Sequence, residues 1–289
     1  MITMRAMSTD RRPVGDLLRD WRQRRRLSQL ALALEADVSA RHVSFVETGR
    51  SLPSREMLLH LAERLDVPLR DRNALLVAAG YAPLYPERGV DDPALRAARA
   101  AVDRVLAGHE PYPALAVDRH WTLVAANRAL APLLAGVEAD LLRPPVNVLR
   151  LSLHPAGLAP RIANFGQWRT LVLERLRRQV EVSADPTLAA LLDELGHYPD
   201  PGRADDSSDP DHGQDQDQNQ DDATVLIPLR LRTELGLLSF FGTTTIFGTP
   251  VDITLAELAI ESFFPTDAAT ADALRRAAAN AASPPPDAR

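Results

Sequence analysis

The sequence predicts two domains of different class: an all-α five-helix domain at the N-terminus, then an α+β domain with an antiparallel sheet. Three observations carry this. The chain has 289 residues, enough for about two domains at roughly 150 residues each. Its charge is split, with 15 Arg against 11 acidic residues in 1–88 and 18 Arg against 28 acidic residues in the remainder. The apolar spacing is helical up to residue 80, and afterwards short alternating strands mix with helices. A basic first third joined to an acidic remainder indicates domains with different partners.

Composition excludes several chemistries. There is no Cys, hence no disulfide scaffold, thiolate zinc site, iron–sulfur cluster or cysteine nucleophile. No uninterrupted apolar run reaches ~18 residues. Residues 1–10 lack a signal-peptide core. A cytoplasmic protein without a membrane partner is expected. Every basic residue is Arg, which reads as codon bias rather than chemistry.

Taken in order, residues 1–12 are expected to be a disordered leader. The five helices fall within 13–80. Pro13 suits a first helical turn, and Arg22, Arg24, Arg25 and Arg26 read as a solvated helix end. Ser28 is an N-cap for a helix opening at Gln29, with Leu30, Ala33 and Leu34 at helical spacing. Ser39 caps the next helix, which turns Val43 and Val46 inward and stops at Gly49, a left-handed C′ position. Ser54 caps a helix carrying Leu58, Leu61, Ala62 and Leu65. Asp71 to Ala79 is the fifth, with Gly80 past its end. Two short helices joined by a tight turn form a helix-turn-helix. Ala40, Arg41, Ser44 and Phe45 lie on the outer side of its second helix, the side that meets base edges in a major groove.

The second half is read more coarsely. Residues 81–93 are a linker, and 94–265 form the second domain. Ala94 to Gly108 is helical, Ala114 to Val117 and Thr122 to Ala125 are a hairpin, and Asn127 to Leu134 is a helix. Trp168 to Val180 is an amphipathic helix with Arg175, Arg177 and Arg178 on its polar side. Pro186 to Leu195 is another helix. Residues 200–222 are an acidic, low-complexity mobile loop. Strands are expected at Thr224 to Arg232, Gly236 to Thr243 and Thr244 to Phe247. Leu255 to Phe263 reads as a closing helix or a strand plus helix. Residues 266–289 are an Ala-rich tail, expected to be frayed.

Residues 13–80 resemble the phage-repressor-like (XRE) helix-turn-helix family. The resemblance rests on Leu27-Ser28-Gln29, Val38-Ser39, Val43-Ser44, Glu47, Gly49-Arg50 and Pro53-Ser54. With Ala116-Val117-Asp118-Arg119-His120-Trp121 and Ala126-Asn127-Arg128 opening the second domain, the whole chain looks like the MmyB-like regulators. These join such a domain to a PAS-like ligand-binding domain. The resemblance implies that Gln29 and Ser39 hold backbone phosphates of double-stranded DNA from helix N-termini. It places Ala40, Arg41 and Phe45 at base-reading positions. Arg41 can give guanine a bidentate pair, and Ala40 and Phe45 can touch thymine methyls. His42 and Ser44 are secondary members of the set, Arg50 faces phosphate, and Glu47 pairs within the fold.

For the second domain the resemblance implies an apolar, fatty-acid-like ligand between sheet and helices. Candidate lining residues are Trp121, Leu149, Leu151, Phe165, Trp168, Leu171, Val172, Phe240 and Phe241. Asn127, His154, Arg161 and Arg169 are candidates for its polar end, with no choice among them. No metal-ligand spacing, nucleophile motif or glycine-rich phosphate loop is present, so neither catalytic residues, a metal nor a further cofactor is expected. The leading reading is a ligand-responsive, homodimeric transcriptional regulator. An autoregulating enzyme and an antitoxin-like adaptor are the competing classes.

Overall fold

A computed structural model describes residues 12–89, 92–201, 226–248 and 250–282. The expected leader, apart from Arg12, and the acidic loop beyond Pro201 lie outside the described residues, as does the tail after Ala282. The chain divides into two compact units. One comprises Met1–Gly89 with Thr249–Ala256, the other Val90–Gly248 with Glu257–Arg289.

The first unit holds α1 (Val14–Arg24), α2 (Gln29–Glu35), α3 (Ala40–Glu47), α4 (Arg55–Arg64) and α5 (Leu69–Ala78). The cap chemistry is that of the sequence. Ser28, Ser39 and Ser54 accept hydrogen bonds from the amides of Ala31, His42 and Met57 at 3.0, 3.1 and 3.2 Å. Each satisfies an amide that the helix itself cannot, worth about 1 kcal/mol. Gly49 and Gly80 take left-handed φ of 71° and 85° past the ends of α3 and α5. The fifth helix opens at Leu69, two residues earlier than expected, because the Pro68 carbonyl accepts from the Arg72 amide at 2.9 Å.

Leu18, Leu32, Val43, Val46, Leu61 and Leu76 are closed to solvent and form the core of this unit. Gly15 lets α1 cross the end of α3. A Cβ there would lie 2.5 Å from the Val46 carbonyl oxygen and 2.7 Å from that of Glu47.

Arg22 corrects the expectation of a solvated helix end. It is buried, and its Nε and Nη2 donate to the two carboxylate oxygens of Glu47 at 2.6 and 2.9 Å. Gln29 Nε2 donates to the same carboxylate at 2.8 Å, and Arg19 Nη2 to the Glu47 carbonyl at 2.9 Å. One buried carboxylate thereby joins α1, α2 and α3.

The second unit is α+β. Its sheet has the order β2-β1-β5-β4-β3, every pair antiparallel. The strands are β1 (Ala114–Val117), β2 (Leu123–Ala126), β3 (Leu229–Thr233), β4 (Gly236–Ile246) and β5 (Ala259–Pro265). The two expected strands at 236–247 are one continuous β4. Of the strand expected from Thr224, residues 224–225 lie outside the described residues, and the described part is strand only as β3. The 255–263 segment resolves into a helical turn, Ile253–Ala256, followed by β5.

The helices are α6 (Arg96–Gly108), α7 (Val148–Leu153), α8 (Phe165–Ser183), α9 (Pro186–Gly196) and α10 (Ala268–Ala282). Leu115 and Val117 of β1 turn to the face packed by α7, α8 and α9. Ala114 and Ala116 turn to the other face, under Val102 and Leu106 of α6. The helix expected from Asn127 is a 3-10 segment, Arg128–Leu134, because Pro132 lies inside it.

The tail is no frayed end up to Ala282. Asp267 Oδ1 accepts from the Thr270 amide at 2.7 Å, and Ala271, Ala273 and Leu274 are buried. Small side chains permit that close packing. No helix among the described residues is long and apolar enough to cross a membrane.

Burial alone would push Glu47 up, but the hydrogen bonds from Arg22 and Gln29 outweigh it and hold its carboxyl below the ordinary value of 4.5. The pair therefore stabilises the fold fully above that value, and the contribution is lost as pH falls through the lowered folded-state pKa. Glu47→Gln should flatten the acid limb of stability against pH. Arg22→Ala, which strands the buried carboxylate, should cost about 3–5 kcal/mol in urea unfolding.

Candidate functional site

Two surfaces carry the functional candidates, and each lies within one unit. The first is the outer side of α3. Ser39, its N-cap, is exposed, as are Arg41 and Arg50, while Ala40, His42, Ser44 and Phe45 are half-buried. Val43, Val46 and Glu47 occupy the inner side. Phe45 is therefore not core: its ring is in contact with two guanidiniums, Arg41 at 5.0 Å and Arg50 at 5.8 Å from its centroid. The cation–π contacts restrict two otherwise flexible arginines beside an aromatic edge. Gln29 stands at the first turn of α2, its amide oriented by Glu47 at 2.8 Å. One of its two amide hydrogens is thus committed inside the fold.

The second is a cavity of about 490 Å³ in the α+β unit. Eight of the expected lining residues border it: Trp121, Leu149, Leu151, Trp168, Leu171, Val172, Phe240 and Phe241. Phe165 does not, being packed in the core. The four candidates for a polar end are all used elsewhere. Asn127 is buried; it accepts from the Ala114 amide at 3.1 Å and donates to the carbonyls of Leu106 and Tyr112 at 3.1 and 2.8 Å. It ties the end of α6 to β1. Arg161 donates to the carbonyls of Ala135 and Leu133. Arg169 donates to that of Gly196 at 2.7 Å. His154 Nδ1 accepts from the Ala156 amide at 3.0 Å, and its ring stands edge-on to Tyr198.

The polar groups that do border the cavity are Ser152, Arg175, Arg178 and Glu261. Ser152 Oγ accepts from Trp168 Nε1 at 2.8 Å, which fixes the indole in the wall. Arg175 is bidentate to Glu261 at 2.7 and 3.1 Å, donates to Thr244 Oγ1 at 2.8 Å and lies 4.6 Å from the Trp121 ring centroid. Arg178, one turn further along α8, is exposed at the rim. Among the described residues it has neither an ion pair nor a hydrogen-bond partner.

Trp121 carries a left-handed φ of 65°, unfavourable for a bulky residue. It is held there by its own contacts: Nε1 donates to Gln179 Oε1 at 2.9 Å, and its carbonyl accepts from the Val148 amide at 2.9 Å. The strain aims the indole at the cavity.

Sequence reading missed Arg175, Arg178 and Glu261. The clue in the sequence was Glu261, a carboxylate set between Ile260 and Ser262 in an otherwise apolar strand. Such a residue, once buried, requires a cationic partner.

A capped helix-turn-helix in one unit and an apolar cavity in a separate α+β unit define a ligand-responsive transcription regulator. A family model described as the MmyB-like transcription regulator ligand binding domain matches residues 98–277, and a helix-turn-helix model matches residues 18–71. The chain belongs to the MmyB-like transcription regulators. Its domains are of regulator type. No curated protein gives a match.

The bonding of Asn127 sets a clear expectation. Asn127→Ala should lower the unfolding free energy by about 2 kcal/mol through the buried amide and carbonyls it strands. It should leave binding of an apolar fluorescent probe in the cavity unchanged. A loss of probe affinity without a loss of stability would assign Asn127 to the ligand instead.

Proposed function

We propose that this protein binds an operator as a homodimer through α3 and releases or remodels that binding when an apolar, monoanionic amphiphile of fatty-acid type enters the α+β unit. The observation that carries the reading is the cavity: its walls are mostly leucine, phenylalanine and tryptophan, and its few charges are confined to one end of α8 and β5. The charge count supports a single negative head. Among the described residues Glu261 neutralises Arg175, which leaves Arg178 as the surplus cation at the rim. An acyl tail gains by leaving water, and a carboxylate at Arg178 makes a charge-assisted pair.

On the DNA side, Arg41 reads guanine, Ala40 and Phe45 meet thymine methyls, and Gln29, Ser39 and Arg50 hold phosphates. His42 and Ser44 complete the face. A single module offers few base contacts, and two-fold symmetry doubles them. The ligand acts through its differential affinity for the two arrangements of the dimer. The protein works in the cytoplasm and performs no catalysis.

Arg41→Ala should reduce discrimination between operator and mutated operator by roughly 5- to 150-fold, the equivalent of ~1–3 kcal/mol, in a gel-shift series at fixed salt, with thermal stability retained. Unchanged selectivity would remove Arg41 from the reading set. In the cavity, Arg178→Ala should weaken dodecanoate binding about ten-fold or more and leave dodecanol binding unaffected, read by calorimetry. Equal loss for both would mean that Arg178 shapes the cavity rather than meeting a charge.

A further inference from the structure

The connection between β4 and β5 does not behave as a surface loop. It leaves one strand that borders the cavity, through Phe240, Phe241 and Gly242, and returns as another, through Glu261 and Phe263. The two strands are paired, Gly242 with Phe263 and Thr244 with Glu261. Yet the stretch joining them belongs to the N-terminal unit.

Within that unit the segment has specific bonds. The Ile253 amide donates to the Pro86 carbonyl at 2.9 Å. Thr254 Oγ1 donates to the Arg88 carbonyl at 2.5 Å, and Arg88 Nη1 donates to Asp252 Oδ2 at 2.8 Å. Asp252 and Ile253 are each only 2% exposed. A carboxylate this buried persists only because it is paired. The 85–88 stretch is in turn anchored to α5. Asn73 Oδ1 accepts from the amides of Leu84 and Tyr85 at 2.9 and 3.0 Å, and its Nδ2 donates to the Tyr85 carbonyl at 2.7 Å.

We propose that residues 252–256 are a strap through which the state of the cavity is transmitted to the helix-turn-helix unit. The inference rests on the reading of the cavity as the ligand site. The physical basis is lack of slack. Only Glu257 and Leu258 separate the helical turn from β5, and two residues span at most about 7 Å. A shift of β5 cannot be absorbed there and must pull on the bonds to Pro86 and Arg88. Filling the cavity supplies the differential interaction: β5 borders it through Glu261 and Phe263, so an occupant, charged or not, that displaces either side chain biases β5, and β5 is tied to the strap.

The test is amide hydrogen exchange on the full chain. Cavity filling is achieved in two ways, by dodecanoate and by Val172→Phe, which places a ring in the cavity without any ligand. Both should change exchange about five-fold or more at α5 and at 84–88, as well as around β4 and β5. In Thr254→Val, and in Arg88→Ala/Thr254→Val, the change around β4 and β5 should persist while that at α5 and 84–88 disappears. Unaltered exchange in α6, which does not border the cavity, shows that each variant is folded. The same change at α5 with and without the strap bonds would overturn the proposal. So would no change at α5 in the otherwise wild-type chain with its cavity filled. If dodecanoate does not bind, the amphiphile reading fails by itself, and the Val172→Phe chain still decides the strap.

Discussion

The geometry of α3 depends on one buried carboxylate. Glu47, at the end of α3, receives Arg22 from α1 and Gln29 from α2. A charge in that position is costly unless every lone pair is engaged, so the three helices settle where their donors converge. The apolar core gives the unit its stability but sets orientation only loosely, since leucines tolerate small slides. The ion pair does not. It also explains why the glutamate of the helix-turn-helix pattern is an internal residue although it belongs to α3, whose outer side carries Arg41 and Phe45.

A related device recurs in the α+β unit with a different outcome. Arg175 and Glu261 join α8 to β5, but they do so at the edge of a cavity instead of within solid core. The pair is consequently within reach of whatever enters. The strained backbone of Trp121 and the Ser152-held indole of Trp168 line the same space. Strain of this kind persists only where surrounding bonds over-determine it. Here they keep bulky rings as walls rather than letting them collapse inward to fill the void.

Much of the N-terminal unit was legible because its signals are local. Serine caps and terminal glycines act on amides and dihedrals within a few residues, so Ser28, Ser39, Ser54, Gly49 and Gly80 could be placed without tertiary knowledge. Arg22 could not, because its partner lies 25 positions away. In the second unit, eight of the nine aromatic and aliphatic residues chosen for a lining border the cavity, and none of the four chosen for a polar end does. Asn127, Arg161 and Arg169 satisfy backbone groups in turns and helix ends, a need that is invisible until the chain is folded. Arg175 sits on the side of α8 that reads as polar, but its long stem carries the guanidinium round to the cavity. The separate membership of residues 249–256 left no mark in composition at all.

The order of strands in the sheet has a bearing on how the molecule comes into being. β1 ends at Val117 and its partner β5 begins only at Ala259, so the middle of the sheet stays open while the whole of the intervening polypeptide, residues 118–258, emerges from the ribosome. Long-range pairing of this sort is slow to form, and edges left open during synthesis are prone to pair with the wrong chain. The same late stretch contributes Asp252 and Ile253 to the other unit. The N-terminal unit is therefore unfinished until the nascent chain has passed residue 256 and the second until it has passed β5 and α10, and nascent chains that stop before residue 252 lack both the sheet's central strand and the segment that completes the N-terminal unit.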